Sequence, residues 1–326
     1  MFSRAVCSVF FLLTSGALFA QSAGSCEQEY QACLSQAITW YKSGRLADAA
    51  EALSHLHEQD ANDIRVSTLL AEILIRIGRS HAAIEVLRGI VKPDDPDVLY
   101  LLALALIRDR QMVAGRDAIA RLLEKEDSAE VRVMVASMEI DAGDYDAALA
   151  NLAHAMERNP RLPEAHYWRA RALFESGDAT GAEQSAREEL AISSDSFETN
   201  LLLGRILRAR HKTSESLTCL ERAVAIQPRS ELARIQLAEV VIDAGHADRA
   251  ILMLDEVQQH AGSSSALHQA LARAYRELGQ TSEAARERAL AAVSPTAQAS
   301  VDADVLDMQH LHDQLLEKLR GAVKAP

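Results

Sequence analysis

Small residues recur along the chain with a fixed period of 34 residues, and larger apolar residues recur beside them. In segments aligned on this period, the eighth position is Gly or Ala in seven of eight segments, and the twentieth position holds nothing larger than Ser. A period of this length is typical of proteins built from stacked supersecondary units. Every segment has 34 residues except the second, which has 31, and the eighth, whose end is indistinct. The segments begin at Tyr30, Ile64, Asp95, Ala129, Pro163, Phe197, Glu231 and Ser265.

The other columns of the alignment predict two helices joined by a tight turn in each segment. The fifteenth position is Gly in six segments and is Asp109 or His211 in the other two. Gly commonly ends a helix at positive φ, and Asp and His are also enriched at positive φ. Pro160 and Pro228, at the thirty-second position, stop the second helix of their segments. The twenty-fourth position is apolar in seven segments and fills the space between the helices.

This pattern resembles the tetratricopeptide repeat over residues 30–297. The resemblance is closest in the fourth segment, and its matching residues are Ala136, Gly143, Tyr145, Ala148, Ala155 and Pro160. Departures include Glu189 and Arg121 at the usually small twenty-seventh position, and the absence of Trp from the fourth position. An Ala-rich helical bundle has no reason to return to Gly every 34 residues. The resemblance implies an all-α, right-handed superhelical solenoid of about eight helix-turn-helix repeats.

Residues near the short second repeat and after the eighth repeat predict two further features. The shortened connection around Pro93 and Pro96 is either an ordinary tight turn or a hinge between the first two repeats and the other six. We keep the solenoid as one domain. In residues 298–326, apolar side chains recur at helical spacing, which favours a capping helix over a dimerising coiled coil. These apolar residues are Val305, Met308, Leu311, Leu315 and Leu319.

The first twenty residues are typical of a secretory signal peptide. Arg4 is their only charged residue, an apolar run follows, and small residues precede Ala20. The apolar run is shorter than the roughly 20 residues that a membrane-spanning helix needs, so cleavage after Ala20 is favoured over a retained anchor. We therefore expect an exported protein, periplasmic or secreted, with no transmembrane segment after cleavage and a possible association with the membrane.

The cysteines do not form a recognisable framework. Without Cys7, the mature chain would keep Cys26, Cys33 and Cys219, an odd number at no metal-site spacing. A Cys26–Cys33 disulfide requires a bend, because seven residues of straight helix separate the two Cα atoms by about 10 Å. Lipidation of Cys26 is a second alternative, although Ala23 stands where a lipidation motif normally has a large aliphatic residue.

Composition and motifs argue against several functional classes. The formal charge of −13 and the 4% aromatic content disfavour nucleic-acid binding. The sequence contains no phosphate-binding loop, nucleophile elbow or zinc-protease motif, so we predict no enzyme, no cofactor and no metal site. The paired histidines at 55 and 57 and at 310 and 312 are two residues apart, so within a helix they point to different sides.

The resemblance implies a concave groove lined by the first helix of each repeat, where the second, fifth, ninth and twelfth positions usually face a ligand. Cationic and aromatic groups gather at these positions, although the protein as a whole is acidic. They suit a protein or peptide ligand, such as an acidic or C-terminal segment. The competing interpretation is a solvated face on which arginines pair with Glu164, Glu175, Glu198 or Glu277. The candidate residues are Tyr167, Arg171, Phe174, Leu201, Arg205, Arg208, Arg273 and Arg276.

The most probable function on these grounds is that of an exported, non-enzymatic scaffold or adaptor that binds protein partners in the groove. The alternative is an accessory subunit of an envelope or polysaccharide assembly or export machine that contacts glycan as well as protein. Rows of exposed aromatics would favour glycan. Because Trp40 and Trp168 are the only tryptophans, protein is the preferred ligand.

Overall fold

The computed structural model describes residues 18–90, 94–261 and 264–293, and all the regular structure in these ranges is helical. The chain divides into two compact units, Met1–Leu122 and Leu123–Pro326, and the division falls within the sixth helix. The first six helices are α1 (Leu18–Lys42), α2 (Leu46–Gln59), α3 (Ile64–Arg76), α4 (Ser80–Arg88), α5 (Pro96–Arg108) and α6 (Met112–Lys125).

Ten further helices follow among the described residues of the C-terminal unit. They are α7 (Ala129–Asp141), α8 (Tyr145–Arg158), α9 (Ala165–Glu175), α10 (Ala179–Ile192), α11 (Phe197–Ala209), α12 (Thr213–Ile226), α13 (Glu231–Asp243), α14 (Ala247–Ala261), α15 (Ser265–Glu277) and α16 (Thr281–Val293). Odd-numbered helices are the first helices of the repeats, and even-numbered helices are the second helices. Eight helix-turn-helix repeats confirm the all-α repeat fold that the period predicts.

Short polar side chains begin most of the first helices. In each case the residue before the helix accepts a hydrogen bond from a backbone N–H of the first turn, which would otherwise lack a partner. Ser128, for example, accepts from the backbone N–H of Val131 at 3.2 Å. The same arrangement recurs in six repeats, at Asp63, Asp95, Ser128, Ser196, Ser230 and Ser264.

The two small columns lie where paired helices cross. Their side chains have no solvent exposure in most repeats, and the larger residues of the twenty-fourth column, such as Leu53 and Leu152, fill the space beside them. A repeat therefore buries little by itself, and stability comes from neighbouring helices packed along each unit. The fully buried alanines of the two columns are Ala37, Ala49, Ala71, Ala83, Ala136, Ala148, Ala170, Ala182, Ala238 and Ala250.

The turn between the two helices requires one residue in the left-handed region. The predicted glycines all have positive φ, and the predicted exception His211 has a φ of 59°. These glycines are Gly44, Gly78, Gly143, Gly177, Gly245 and Gly279. The third repeat differs from the prediction, because its left-handed residue is Arg110, with a φ of 63°, and not Asp109.

The Arg110 turn reveals that the third repeat starts one residue later than the sequence alignment placed it. Asp95 precedes the helix as its cap, and α5 begins at Pro96. Counting from Pro96 moves Ala103, Gly115 and Ile119 into the eighth, twentieth and twenty-fourth columns, and all three are buried. A Cβ on Gly115 would lie 2.9 Å from Cγ1 of Ile107, so this crossing admits no larger residue. The corrected columns replace Leu102, Ala114 and Ala118.

Repeat five begins in a different way, and this explains one departure from the family pattern. Its first helix is preceded by Glu164, which has a φ of 75° and whose side chain does not cap the helix. Glu189 of α10 acts as the cap instead, since its Oε1 accepts the Glu164 backbone N–H at 2.9 Å. Burial raises the pKa of Glu189, although hydrogen bonds from backbone N–H groups, including that of Glu164, act in the opposite direction. The acidic residue at the usually small twenty-seventh position therefore holds the start of the paired helix.

Several predicted features lie outside the described residues. These are most of the predicted signal peptide at 1–20, the predicted capping helix at 298–326 and part of the connection around Pro93. The first helix starts at Leu18 and continues through positions 26 and 33 without a break, and Cys33 is a free thiol. No helix among the described residues is both long enough and apolar enough to span a bilayer.

Candidate functional site

The first helices of the C-terminal unit form a continuous row. Each of α7, α9, α11 and α13 contacts the next first helix, and all five first helices, including α15, contact their own second helix. Side chains at the ninth and twelfth positions of one repeat therefore meet side chains about one period away in the sequence. Six of the eight predicted partner-binding residues are half-buried on this row.

On α9, Arg171 connects an aromatic cluster to the preceding repeat. Its guanidinium lies 5.4 Å from the centre of the Trp168 ring, and Nη2 lies 3.3 Å from Oδ1 of Asp141 on α7. Tyr167 meets Trp168 edge to face, with ring centres 5.3 Å apart. Trp168 itself is 3% exposed and belongs to the core. Tyr167 and Arg171 are the members of this cluster that reach solvent.

A second contact of the same type joins α9 to α11. The Arg205 guanidinium lies 6.0 Å from the centre of the Phe174 ring, and both residues are half-buried. A cation over an aromatic face is attracted by the negative charge density of the ring. We call Tyr167, Arg171, Phe174 and Arg205 the α9–α11 patch.

Further along the row, Arg208, Glu239, Asp243 and Arg273 form a closed ion-pair network, which we call the Arg208 network. Arg208 of α11 binds Glu239 and Asp243 of α13, each at 2.6 Å. Arg273 of α15 binds Glu239 at 2.5 Å and also binds Asp243. Burial alone would raise the pKa of Asp243, but the hydrogen bonds from Arg273 and Arg208 outweigh it and lower that pKa. Two arginines of the predicted site are thus neutralised by carboxylates of the helix between them.

Leu201 and Arg276 lie apart from the other candidates. Leu201 is 4% exposed and packs in a core cluster with Phe197 and Leu220, so the structure places it in the core and not beside the other candidates. The fifth position of repeat six faces a neighbouring helix and not the open face. Arg276 is well exposed, with 64% of its side chain accessible, and its Nη2 lies 3.4 Å from Glu277.

The carboxylates that bind the predicted arginines were mostly not foreseen. Glu277 is an expected partner, and the structure pairs it with a candidate arginine, Arg276. Arg171 binds Asp141, 30 positions away, and Arg208 binds Glu239, 31 positions away. The sequence contained a signal for this pairing. The carboxylates stand 30 to 35 positions, or about one repeat, away from the arginines that they bind.

The described residues offer little other chemistry. Within them, no group of three or more His, Cys, Asp or Glu side chains is arranged to hold a metal ion. Cys219 is half-buried, and burial raises the pKa of its thiol. A raised thiol pKa reduces the thiolate fraction on which reactivity depends.

Comparison with known proteins supports the repeat assignment directly. Models of the tetratricopeptide repeat match residues 41–93, 136–197 and 180–307, which together make up more than half of the chain. No curated protein sequence matches the chain significantly.

Solved structures show the same fold at low sequence identity. A tetratricopeptide repeat protein from Parabacteroides merdae is 17% identical, with a TM-score of 0.52, and the match covers 86% of this chain and 98% of that one. The Cut9–Hcn1 hetero-tetramer of the APC/C contains a chain that is 13% identical, with a TM-score of 0.55, and the match covers 79% of this chain and 52% of that one.

Tetratricopeptide repeat proteins are generally non-enzymatic scaffolds for protein interactions. The 34-residue period, the left-handed turn residues, the small residues at the helix crossings and the matching family models all point to one assignment. The chain belongs to the tetratricopeptide repeat family.

Proposed function

We propose that this protein is an exported scaffold that binds a segment of a partner protein on the first helices of its C-terminal unit. The observation that carries the proposal is the α9–α11 patch. Its two arginines, Arg171 on α9 and Arg205 on α11, lie over aromatic rings of α9. Tyr and Arg are among the residues that contribute most to protein interfaces, because each combines a large apolar surface with directional hydrogen bonds.

The neighbouring Arg208 network limits which chemical groups we expect the ligand to carry. Arg208 and Arg273 already share two carboxylates, and an incoming acidic group would have to compete with both. An acidic or C-terminal peptide therefore has little to gain at these two arginines. We propose a ligand that places apolar side chains against Tyr167 and Phe174 and one carboxylate near Arg205.

The alternative of a glycan ligand is less well supported. Sugar rings are commonly held by exposed aromatic faces, and Trp168 is 3% exposed within the core. Trp40 is half-buried, and the Arg45 guanidinium lies 5.3 Å from its ring centre. Neither tryptophan offers an open face for a sugar, so a protein partner is preferred.

If the α9–α11 patch binds a partner protein, reversing the charge of its arginines should abolish or weaken that binding. The Arg171→Glu/Arg205→Glu variant and the wild type are cross-linked in the native cells, and the attached proteins are identified by mass spectrometry. A partner captured by the wild type should be lost or reduced about tenfold in the variant, as expected when central interface residues are removed.

A matched control separates the patch from a general effect of charge. The Arg222→Glu/Arg249→Glu variant makes the same change at exposed positions on the second helices α12 and α14. It should keep the partner. If both double variants retain it, the patch is not the binding site, and loss in both would point to nonspecific electrostatic attraction.

Export forms a separate part of the proposal, and it is supported by the signal-like pattern of residues 1–20. The mature protein, purified from cell fractions and from the medium, should begin at Gln21 when its N-terminus is sequenced. Recovery of the full-length chain from the cytoplasm, beginning at Met1, would contradict export and leave the groove proposal intact.

A further inference from the structure

A second concave site lies in the C-terminal unit, away from the first-helix row. It is a cavity of about 530 Å³ between α10 and the turn that joins α11 to α12. Six lining residues share one stripe of α10 at helical spacing, and two come from the turn. The lining residues are Thr180, Glu183, Gln184, Arg187, Glu188, Ala191, Arg210 and Lys212.

The turn of repeat six directs two cations at this cavity. Arg210 ends α11, Lys212 precedes α12, and His211 between them is the left-handed residue that replaces the usual glycine. Lys212 Nζ lies 2.7 Å from Oε1 of Glu183 and 3.1 Å from Oε2, and Arg210 binds Oε2 as well. The two side chains are therefore held on the same α10 carboxylate.

Glu183 is the centre of the cluster. It is 2% exposed, and its carboxylate also binds Arg187 one turn further along α10. Burial would raise the pKa of Glu183, but hydrogen bonds from Lys212 and Arg187 outweigh burial and lower it. The carboxylate thus stays ionised and fixes three cations around the cavity, each between 27% and 46% exposed at its side chain.

The charges at this cavity do not cancel. Arg187 also binds Glu215 at 2.5 Å, and Oε2 of Glu188 on the other edge lies 3.1 Å from Nδ1 of His166 and 3.8 Å from Arg169. Counting the arginines, the lysine and the carboxylates of this described cluster, four cationic side chains face three anionic ones. A protein with a formal charge of −13 therefore carries a cavity with an excess positive charge.

We propose that this cavity binds an anionic oxygen group, either a carboxylate or a phosphate. Guanidinium groups bind both through paired N–H donors, and a cluster whose arginines are already oriented by Glu183 loses little side-chain entropy on binding. Two sources can supply such a group: a small anion in solution, or an acidic side chain on a protein. The site is separate from the α9–α11 patch and does not depend on the function proposed for it.

The test uses two probes and a charge substitution at Gln184, whose side-chain amide donates to Oε1 of Glu188 at 2.9 Å. Inorganic phosphate and an acetylated hexa-aspartate peptide are titrated separately into the full-length protein, and the side-chain Nε–Hε signals of Arg187 and Arg210 are followed by NMR. Gln184 is exposed at the cavity edge. Gln184→Lys should tighten binding about threefold and Gln184→Glu should weaken it about threefold, because they add opposite charges near the bound anion.

Gln280 provides the matched control, because it is exposed at the α15–α16 turn and the same two changes can be made there. Gln280→Lys and Gln280→Glu should leave both dissociation constants unchanged. A response to phosphate alone assigns the site to a small anion, and a response to the peptide alone assigns it to acidic protein segments. The absence of a shift at Arg187 and Arg210 with either probe, or equal effects at positions 184 and 280, would overturn the proposal.

Discussion

Replacing Gly204 with leucine is expected to destabilise the C-terminal unit by about 3 kcal/mol, at the upper end of typical overpacking costs. Gly204 lies where α11 crosses α12, and a Cβ at this position would lie 2.5 Å from Cγ of Leu220. The Ser216 hydroxyl donates to the Gly204 carbonyl at 2.7 Å and holds the two backbones together. Thermal unfolding followed by circular dichroism should show a Tm lower by about 6 to 12 °C.

Two further variants show whether the crossing is responsible. Ala209→Leu adds similar apolar volume at the exposed end of the same helix, and it should leave Tm nearly unchanged. Leu220→Ala opens space opposite Gly204, so the double variant should lose less stability than the two single variants added together. Simple additivity of the two changes would mean that Gly204 and Leu220 do not meet as described.

The second large effect is expected at the equivalent crossing of repeat four. Ala148 has no solvent exposure and belongs to the core cluster shared by repeats four and five. Leucine at this position would push α7 and α8 apart, at a cost of about 2 kcal/mol in the free energy of unfolding. Urea denaturation measures this cost as a lower midpoint at an unchanged slope.

Ala150 is the control for this change. It lies two residues further along α8 and is exposed, so Ala150→Leu makes the same substitution on the outer side of the same helix. Its unfolding midpoint should match that of the wild type. If Ala148→Leu unfolds at the wild-type midpoint, the twentieth column does not mark the crossing.

The fold could be predicted from the sequence because the crossings tolerate only small residues and the turns favour residues that accept positive φ. Both requirements recur every 34 residues, so errors in one repeat are corrected by the others. The third repeat was misplaced by one residue because Ala114 and Ala118 fit the twentieth and twenty-fourth columns, and because Asp109 is an acceptable turn residue although the left-handed residue is Arg110. The division of the chain within α6 has no comparable signal in the sequence.

The candidate site was only partly predictable, because its charges pair between repeats. Family positions identified the arginines, and Glu277 is an expected carboxylate that the structure places beside a candidate arginine. The stacking of first helices brings Asp243 to Arg208 across 35 positions, a distance that no local pattern reveals. The cavity at Glu183 was missed for the same reason, since Lys212 reaches it from the next repeat.

The Arg208 network gives the C-terminal unit a mechanical property. Helix α13 supplies both carboxylates, and these bind Arg208 of α11 and Arg273 of α15. Moving either neighbouring helix away from α13 therefore lengthens ion pairs to the same two carboxylates. The apolar cores resist such bending through packing, which salt hardly affects, whereas partly exposed ion pairs weaken as ionic strength rises. We therefore expect these three repeats to bend more easily as ionic strength rises.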